Sequence, residues 1–296
     1  MNRGNALQKI GDAPSRTAAV AAYDEAIAHF TTLSSTPAHR NHHGAAWLNR
    51  GHALLDHNRP EATRSFEQAI AILRELPFDE NPAYRLNLAG AWTNLAHTEF
   101  ASAPLRARAS ASTALSLVTA FAAYDLACAA MSLRARRALV MSLGELLHRG
   151  TGVPPVIPNL HGPDACATQS ELANEATDAL DALDAGLALA RAWADRGSAQ
   201  LRPLAIRLFR LGAQLYGTHQ PHFLAEFLLE NLAAAQSGAF AGDAEFRAIA
   251  EEALTRALAE LQRPRLLTID RPEAERLLAT VRSLRAAQLR LSALSF

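Results

Sequence analysis

The amino-acid sequence predicts an all-α protein assembled from repeated antiparallel helix pairs. Three observations carry that expectation: a composition dominated by alanine and leucine, blocks that recur about every 45 residues, and prolines placed where helices would start or break. Of 296 residues, 64 are alanine and 45 are leucine, more than a third of the chain. These are the strongest helix formers, while aromatic residues reach only 6% and β-branched ones are scarce. The length accommodates one large domain or two ordinary ones and is ample for a core. With 29 basic and 29 acidic side chains the formal net charge is zero, which excludes a nucleic-acid or membrane-surface binder working by bulk electrostatics.

The repeat is visible in the residues themselves. Pro37-Ala38-His39-Arg40 returns 45 residues later as Pro82-Ala83-Tyr84-Arg85. The same offset carries Ala46-Trp47 onto Ala91-Trp92, Asn49 onto Asn94, Gly51 onto Ala96 and His52 onto His97. The chain start continues the series backward, since Asn2-Arg3-Gly4-Asn5 lines up with Asn49-Arg50-Gly51-His52. A second block recurs as well: Ala19, Tyr23, Ala26 and Ile27 return as Ala62, Phe66, Ala69 and Ile70. Small residues such as Gly4, Gly51 and Ala62 allow paired helices to approach closely, and Tyr23, Phe66 and the tryptophans fill the gaps between units.

Taken together, Trp47, Gly51, Leu54, Ala62, Phe66 and Ala69 resemble the tetratricopeptide repeat, with Arg50 where that motif has leucine. The third unit keeps Trp92, Leu95 and Ala96; the first lacks its tryptophan and starts at Gly4 and Leu7. The resemblance is specific over residues 1 to about 100, although the spacing exceeds the usual repeat of about 34 residues. It implies a right-handed α-solenoid whose first helices line a concave groove.

Element by element, helices are expected near 2–11, 16–33, 39–57, 60–76, 82–101, 104–127, 131–148, 170–195, 202–216, 221–236, 243–262 and 271–294. Ala120, Tyr124 and Ala127 repeat the second-helix signature, and Leu208, Leu211, Gly212 and Leu215 the first-helix one. The last helix is expected to cap the stack. Residues 149–169, with four prolines and three glycines, are expected to form an irregular loop between the repeats of 1–148 and the degenerate helical repeats of 170–296. The run Gly-Thr-Gly-Val-Pro-Pro-Val, followed by His-Gly-Pro-Asp-Ala, resembles a short repetitive element translated within unrelated proteins of some bacterial genomes. A tolerated surface insertion, or a plain loop, explains it more simply than a proline-rich docking segment.

The N-terminus lacks the apolar run of a secretory signal, and two cysteines are too few for a disulfide framework, so the expected location is cytoplasmic. Between Ala109 and Leu133 the only charge is Asp125. Small and hydroxylated residues dominate that stretch, so a buried helix, or two joined helices, is expected rather than a membrane span. Residues 101–144 carry five arginines and one acid, whereas 164–195 carry seven acids and one arginine. These segments are expected to complement each other; the alternative is a bipolar groove for a charged peptide.

No catalytic set, phosphate loop or cofactor motif appears, and no metal site is assigned. His39 and His43 lie one helical turn apart, but cysteines and acids do not accompany them. The resemblance points instead to groove residues: Leu48, His52 and Leu55 in the second unit, Thr93, His97 and Phe100 in the third, Asn5 and Gln8 in the first, with Asn49 and Asn94 beside them. Relatives that clamp a peptide carboxylate keep asparagines at the places of Asn5 and Asn49, and need cations where Met1, Gly90 and Asn94 stand here. The competing expectation is that the repeated asparagines and histidines simply join neighbouring helices. The expected function is a non-catalytic scaffold holding a peptide or protein segment, with no nucleic-acid or membrane partner. Two alternatives stand beside it: a histidine-based metal protein or enzyme, and a structural protein that self-associates through its truncated first repeat.

Overall fold

The computed structural model describes residues 1–33, 36–151, 169–219, 224–225, 227–229, 231–232, 243–261 and 279–289. Among the described residues all regular structure is helical and no strand occurs. Helix α1 (Asn2–Ile10) ends at Gly11, whose φ of 79° places it in the left-handed region that closes helices without a Cβ clash. Asp12 then opens α2 (Ala13–Leu33), its Oδ1 accepting from the Ser15 N–H at 2.7 Å. A common device starts the next three helices, a polar cap followed by a proline in the first turn. Thr36 caps α3 (Pro37–Leu54), Asn58 caps α4 (Arg59–Leu73) and Asn81 caps α5 (Pro82–Glu99).

Helix α6 (Pro104–Val118) stops nine residues short of the expected 127. A single 3-10 turn over Thr119–Phe121 follows, and α7 (Leu126–Thr151) begins where its cap, Asp125, accepts from the Cys128 N–H at 2.8 Å. The Ala120–Tyr124–Ala127 pattern therefore spans a corner rather than a second helix, and Tyr124 is exposed. A short acidic side chain inside an apolar run is worth more as a cap than as a mid-helix residue, and that preference wins here. The stretch 109–133 is thus two joined helices, and among the described residues no helix is long and apolar enough to cross a membrane. Helix α7 also runs through Thr151, three residues into the expected loop; residues 152–168, including Cys166, lie outside the described part. The remaining helices are α8 (Gln169–Asp195), α9 (Arg202–His219), α10 (Ala244–Leu261) and residues 279–289.

The chain divides into two compact units, Met1–Ala179 and Leu180–Phe296. In the first, consecutive helices from α1 to α7 pack on one another, and α3 also packs on α5 and α5 on α7. Among the described residues no comparable packing joins α2 to α4 or α4 to α6. The core of this unit runs through Ala62, Phe66, Ala69 and Leu73 of α4 against Tyr84, Leu88 and Leu95 of α5, with Trp47 and Trp92 packed beside it. Glycine allows the closest approaches. A Cβ on Gly51 would stand 2.4 Å from the Phe66 ring, and one on Gly4 would stand 2.6 Å from the Tyr23 ring. Both rings are fully buried. Arg50, where the repeat motif has leucine, ties three helices: its Nε donates to Asp24 of α2 at 2.7 Å and its Nη1 to Ser65 of α4 at 2.8 Å.

The second unit repeats the glycine–aromatic contact. A Cβ on Gly212 would meet the Phe227 ring at 2.6 Å, and Phe227 stacks between Phe209 and Tyr216, with centroids 5.4 and 4.8 Å away. Helix α9 packs on α10, where Phe246 meets Phe209 at 4.7 Å. The expected first-helix signature at Leu208–Leu215 thus sits on a helix whose Gly212 serves as Gly51 does. The expected helices at 221–236 and 271–294 lie largely outside the described residues.

Candidate functional site

The polar residues singled out in the first helices form a lateral ladder. On α3, Asn49 and His52 are three residues apart and share a face; Asn94 and His97 repeat that arrangement on α5. Asn49 Nδ2 donates to Asn5 Oδ1 of α1 at 3.3 Å. One unit further on, Asn94 Nδ2 meets His52 Nε2 at 2.8 Å, and in the next Arg137 Nη1 of α7 meets His97 Nε2 at 3.4 Å. The rule is constant: the later position of one first helix bonds the earlier position of the next. Tyr23 of α2 anchors the ladder's start, its hydroxyl 2.8 Å from Asn5 Oδ1 and 3.0 Å from Gln8 Oε1, free to donate to one at a time.

Each histidine rung needs an unprotonated Nε2, because both of its partners are donors. The electrostatics agree. Burial, and then the Arg134 guanidinium, hold His52 below the ordinary imidazole range. Burial lowers His97 further, to about 4, with Arg137, Arg59 and His52 adding to the effect. Both rings are therefore neutral near pH 7, although His52 still presents part of its surface to solvent. Its other contact is with the core, an edge-on approach to Phe66 at 5.8 Å.

The apolar candidates divide. Leu48 and Leu55 are half-buried and pack against the α4–α5 core. Phe100 covers the alanine cluster of Ala96, Ala107, Ala111 and Ala138 and lies 6.0 Å from the His97 ring. Thr93 is buried, its hydroxyl 2.8 Å from Ala89 O of its own helix and 3.7 Å from Met131 Sδ of α7, so it faces the α5–α7 contact. Asn5 and His52 are exposed, and Gln8, Asn49, Asn94 and His97 are half-buried.

Elsewhere the histidines are engaged separately. His43 Nε2 accepts from Trp47 Nε1 at 3.2 Å, and His42 stacks on Phe30 at 5.8 Å. Among the described residues no group of three or more His, Cys, Asp or Glu side chains converges as metal ligands would. Among the described residues the expected complement between the basic and acidic segments includes the ion pair of Arg108 of α6 with Asp178 of α8 at 2.7 Å. Three cations next to the ladder, Arg59, Arg134 and Arg137, were not among the residues predicted for the site. The signal was in the sequence: Arg137 follows Asn94 by 43 residues, close to the repeat offset, and Arg134 lies one turn before it.

Fold and face together define a protein of paired helices that carries a continuous polar stripe across its first helices. No family model matches the chain, and neither a curated protein nor a solved structure does.

Proposed function

We propose that the chain is a non-catalytic cytoplasmic scaffold, an α-solenoid of the tetratricopeptide type, that holds an extended peptide or protein segment along its first helices. The ladder carries this proposal: amides and imidazoles from α1, α3 and α5 lie side by side on one face, followed by the Arg137 guanidinium of α7. Spare donors and acceptors at that spacing suit a peptide backbone, and Leu48, Leu55 and Phe100 supply apolar contact beside them. Packing supports the geometry. Helix α3 packs on α5 and α5 on α7, while among the described residues α2, α4 and α6 do not pack comparably, as expected where the first-helix side is the concave one.

The test is selection of a random-peptide display library against the whole protein, followed by binding to a His52→Ala/Asn94→Ala variant. Removing both ends of one rung leaves neither partner orphaned, so the fold, checked by circular dichroism, is expected to survive. Peptides selected by the wild type should lose most of their binding to the variant. Peptides that bind both equally would remove the first-helix face from consideration.

A further inference from the structure

Gly4, Gly44 and Gly51 are buried on the first helices, and each faces a side chain that leaves no room for a methyl group. A Cβ would stand 2.6 Å from the Tyr23 ring at Gly4, 2.5 Å from Leu73 at Gly44 and 2.4 Å from the Phe66 ring at Gly51. Packing accounts for glycine at all three. Gly90, buried in the middle of α5, is different. Among the described residues its Cβ would meet first Met131 Cε at 3.4 Å and then Leu48 Cδ2 at 3.9 Å, both ordinary contacts. Alanine fits there and forms helix better than glycine does, because glycine surrenders more backbone freedom on folding. Helix packing therefore does not account for Gly90.

Its surroundings point to the peptide face. Gly90 lies three residues after Asn87 and four before Asn94, so the three share one side of α5. Asn94 forms the rung to His52, and Asn87 Nδ2 donates to Asn41 Oδ1 of α3 at 2.9 Å, a further amide rung between the same two helices. On α3, Leu48 falls between Asn41 and His52 as Gly90 falls between Asn87 and Asn94. A short apolar interval is thus framed by polar rungs at both ends. Leu48 of α3 and Met131 of α7 form its walls, and the bare backbone of α5 its floor. Both walls are only partly buried, and the ends of these two side chains lie over the floor. Met131, whose sulfur lies 3.7 Å from the Thr93 hydroxyl, is the pliable one: its unbranched chain lets the terminal methyl move aside without a backbone change.

We infer that this interval receives one aliphatic side chain of the held segment, which takes the place of the Met131 methyl and packs against Leu48 and the α5 backbone at Gly90. The inference rests on the proposed peptide-binding role and narrows it to segments that carry such an anchor between backbone groups bound by the two rungs. Gly90 is then a specificity-determining position, its missing methyl being the space that the anchor's tip enters. Chemistry and size select the anchor. A thioether, an isobutyl group and bare helix backbone carry no charge, so an ionised side chain among them would give up its water for nothing. A methyl on Gly90 would touch both walls, so the floor is narrow enough to suit the tip of leucine or methionine and to reject an aromatic ring.

The experiment uses the peptides selected from the display library. Those whose binding depends on His52 and Asn94 should share one leucine or methionine, and alanine in its place should weaken binding at least about tenfold. Gly90→Ala should bind the same peptides at least about tenfold more weakly, while its melting temperature equals or exceeds that of the wild type. A glycine kept for packing would behave otherwise, since a crowded methyl lowers the melting temperature as well. Met131→Ala widens the interval, and a fresh selection on it, with its fold checked by circular dichroism, should shift the shared position toward phenylalanine. Face-dependent peptides with no shared aliphatic position, unchanged affinity or a lowered melting temperature in Gly90→Ala, or an unshifted selection on Met131→Ala would each overturn the anchor site and leave the peptide-binding role standing. Absence of any face-dependent peptide would overturn the role itself.

Discussion

The joints between α3 and α4 and between α5 and α6 occupy equivalent places in the repeat, yet they are filled in opposite ways. In the first, Gly51 faces the full ring of Phe66; 45 residues later the same two positions hold Ala96 and Ala111, within a cluster of small side chains. One joint combines a missing side chain with a large one, the other two methyl groups. Each filling keeps the backbones near each other, through a bare Cα against a ring in one joint and through short side chains on both helices in the other. The first is the more fragile, since everything depends on one ring seated against a bare Cα.

The largest expected effect follows from that asymmetry. Phe66→Ala should cost about 3–5 kcal/mol in urea unfolding, the range for emptying a buried aromatic site. Gly51→Ala alone should cost about 1–3 kcal/mol, because the new methyl would overlap a ring with nowhere to go. The double variant imitates the α5–α6 joint, so its cost should fall at least about 1 kcal/mol short of the sum. Strict additivity would show that the two residues do not share the gap.

A second, smaller contrast lies within the ladder. The Asn5–Asn49 rung has no titratable group, whereas the His97–Arg137 rung requires a neutral imidazole. Because burial depresses His97 to about 4 in the folded state, the unfolded chain takes up a proton near 6.5 that the native chain resists. The sign follows: this contribution is complete above about pH 6.5 and is lost as pH falls towards 4. It should be worth about 1–3 kcal/mol, read as the change in unfolding free energy between about pH 7 and about pH 5. His97→Gln should flatten that interval; an unchanged slope would locate the pH dependence elsewhere. The smallest effect is expected at Arg108, whose pair with Asp178 is exposed on both sides. Arg108→Ala should shift stability by less than about 1 kcal/mol, and less still in high salt.

Much of the fold was legible because its signals are local. Thr36-Pro37 and Asn81-Pro82 announce helix starts in two residues, and the 45-residue echo marks which helices are equivalent. The corner at 119–125 was not legible: alanine, threonine and phenylalanine there continue the helical pattern, and Asp125 reads as an interior residue until its bond to the Cys128 N–H is seen. The candidate face was half legible. Spacing singled out Asn49, His52, Asn94 and His97, and the competing expectation that such residues join neighbouring helices is met by the Asn49–Asn5 and Asn94–His52 bonds; which atoms pair was not legible, since pairing between helices 40 or more residues apart depends on tertiary register.

The corner before α7 has one more consequence. Cys128 lies just inside it, buried with Ala89 of α5 and Val118 at the end of α6, and burial together with Asp125 pushes its thiol up to about 11. A thiol so protected reacts with an alkylating reagent only while the corner is open, because the nucleophilic form is both scarce and shielded in the closed state. In a Cys166→Ser background, the alkylation rate at this one sulfur becomes a clock for that opening. It would time the loosening of α6 from α7 without any label added to the chain.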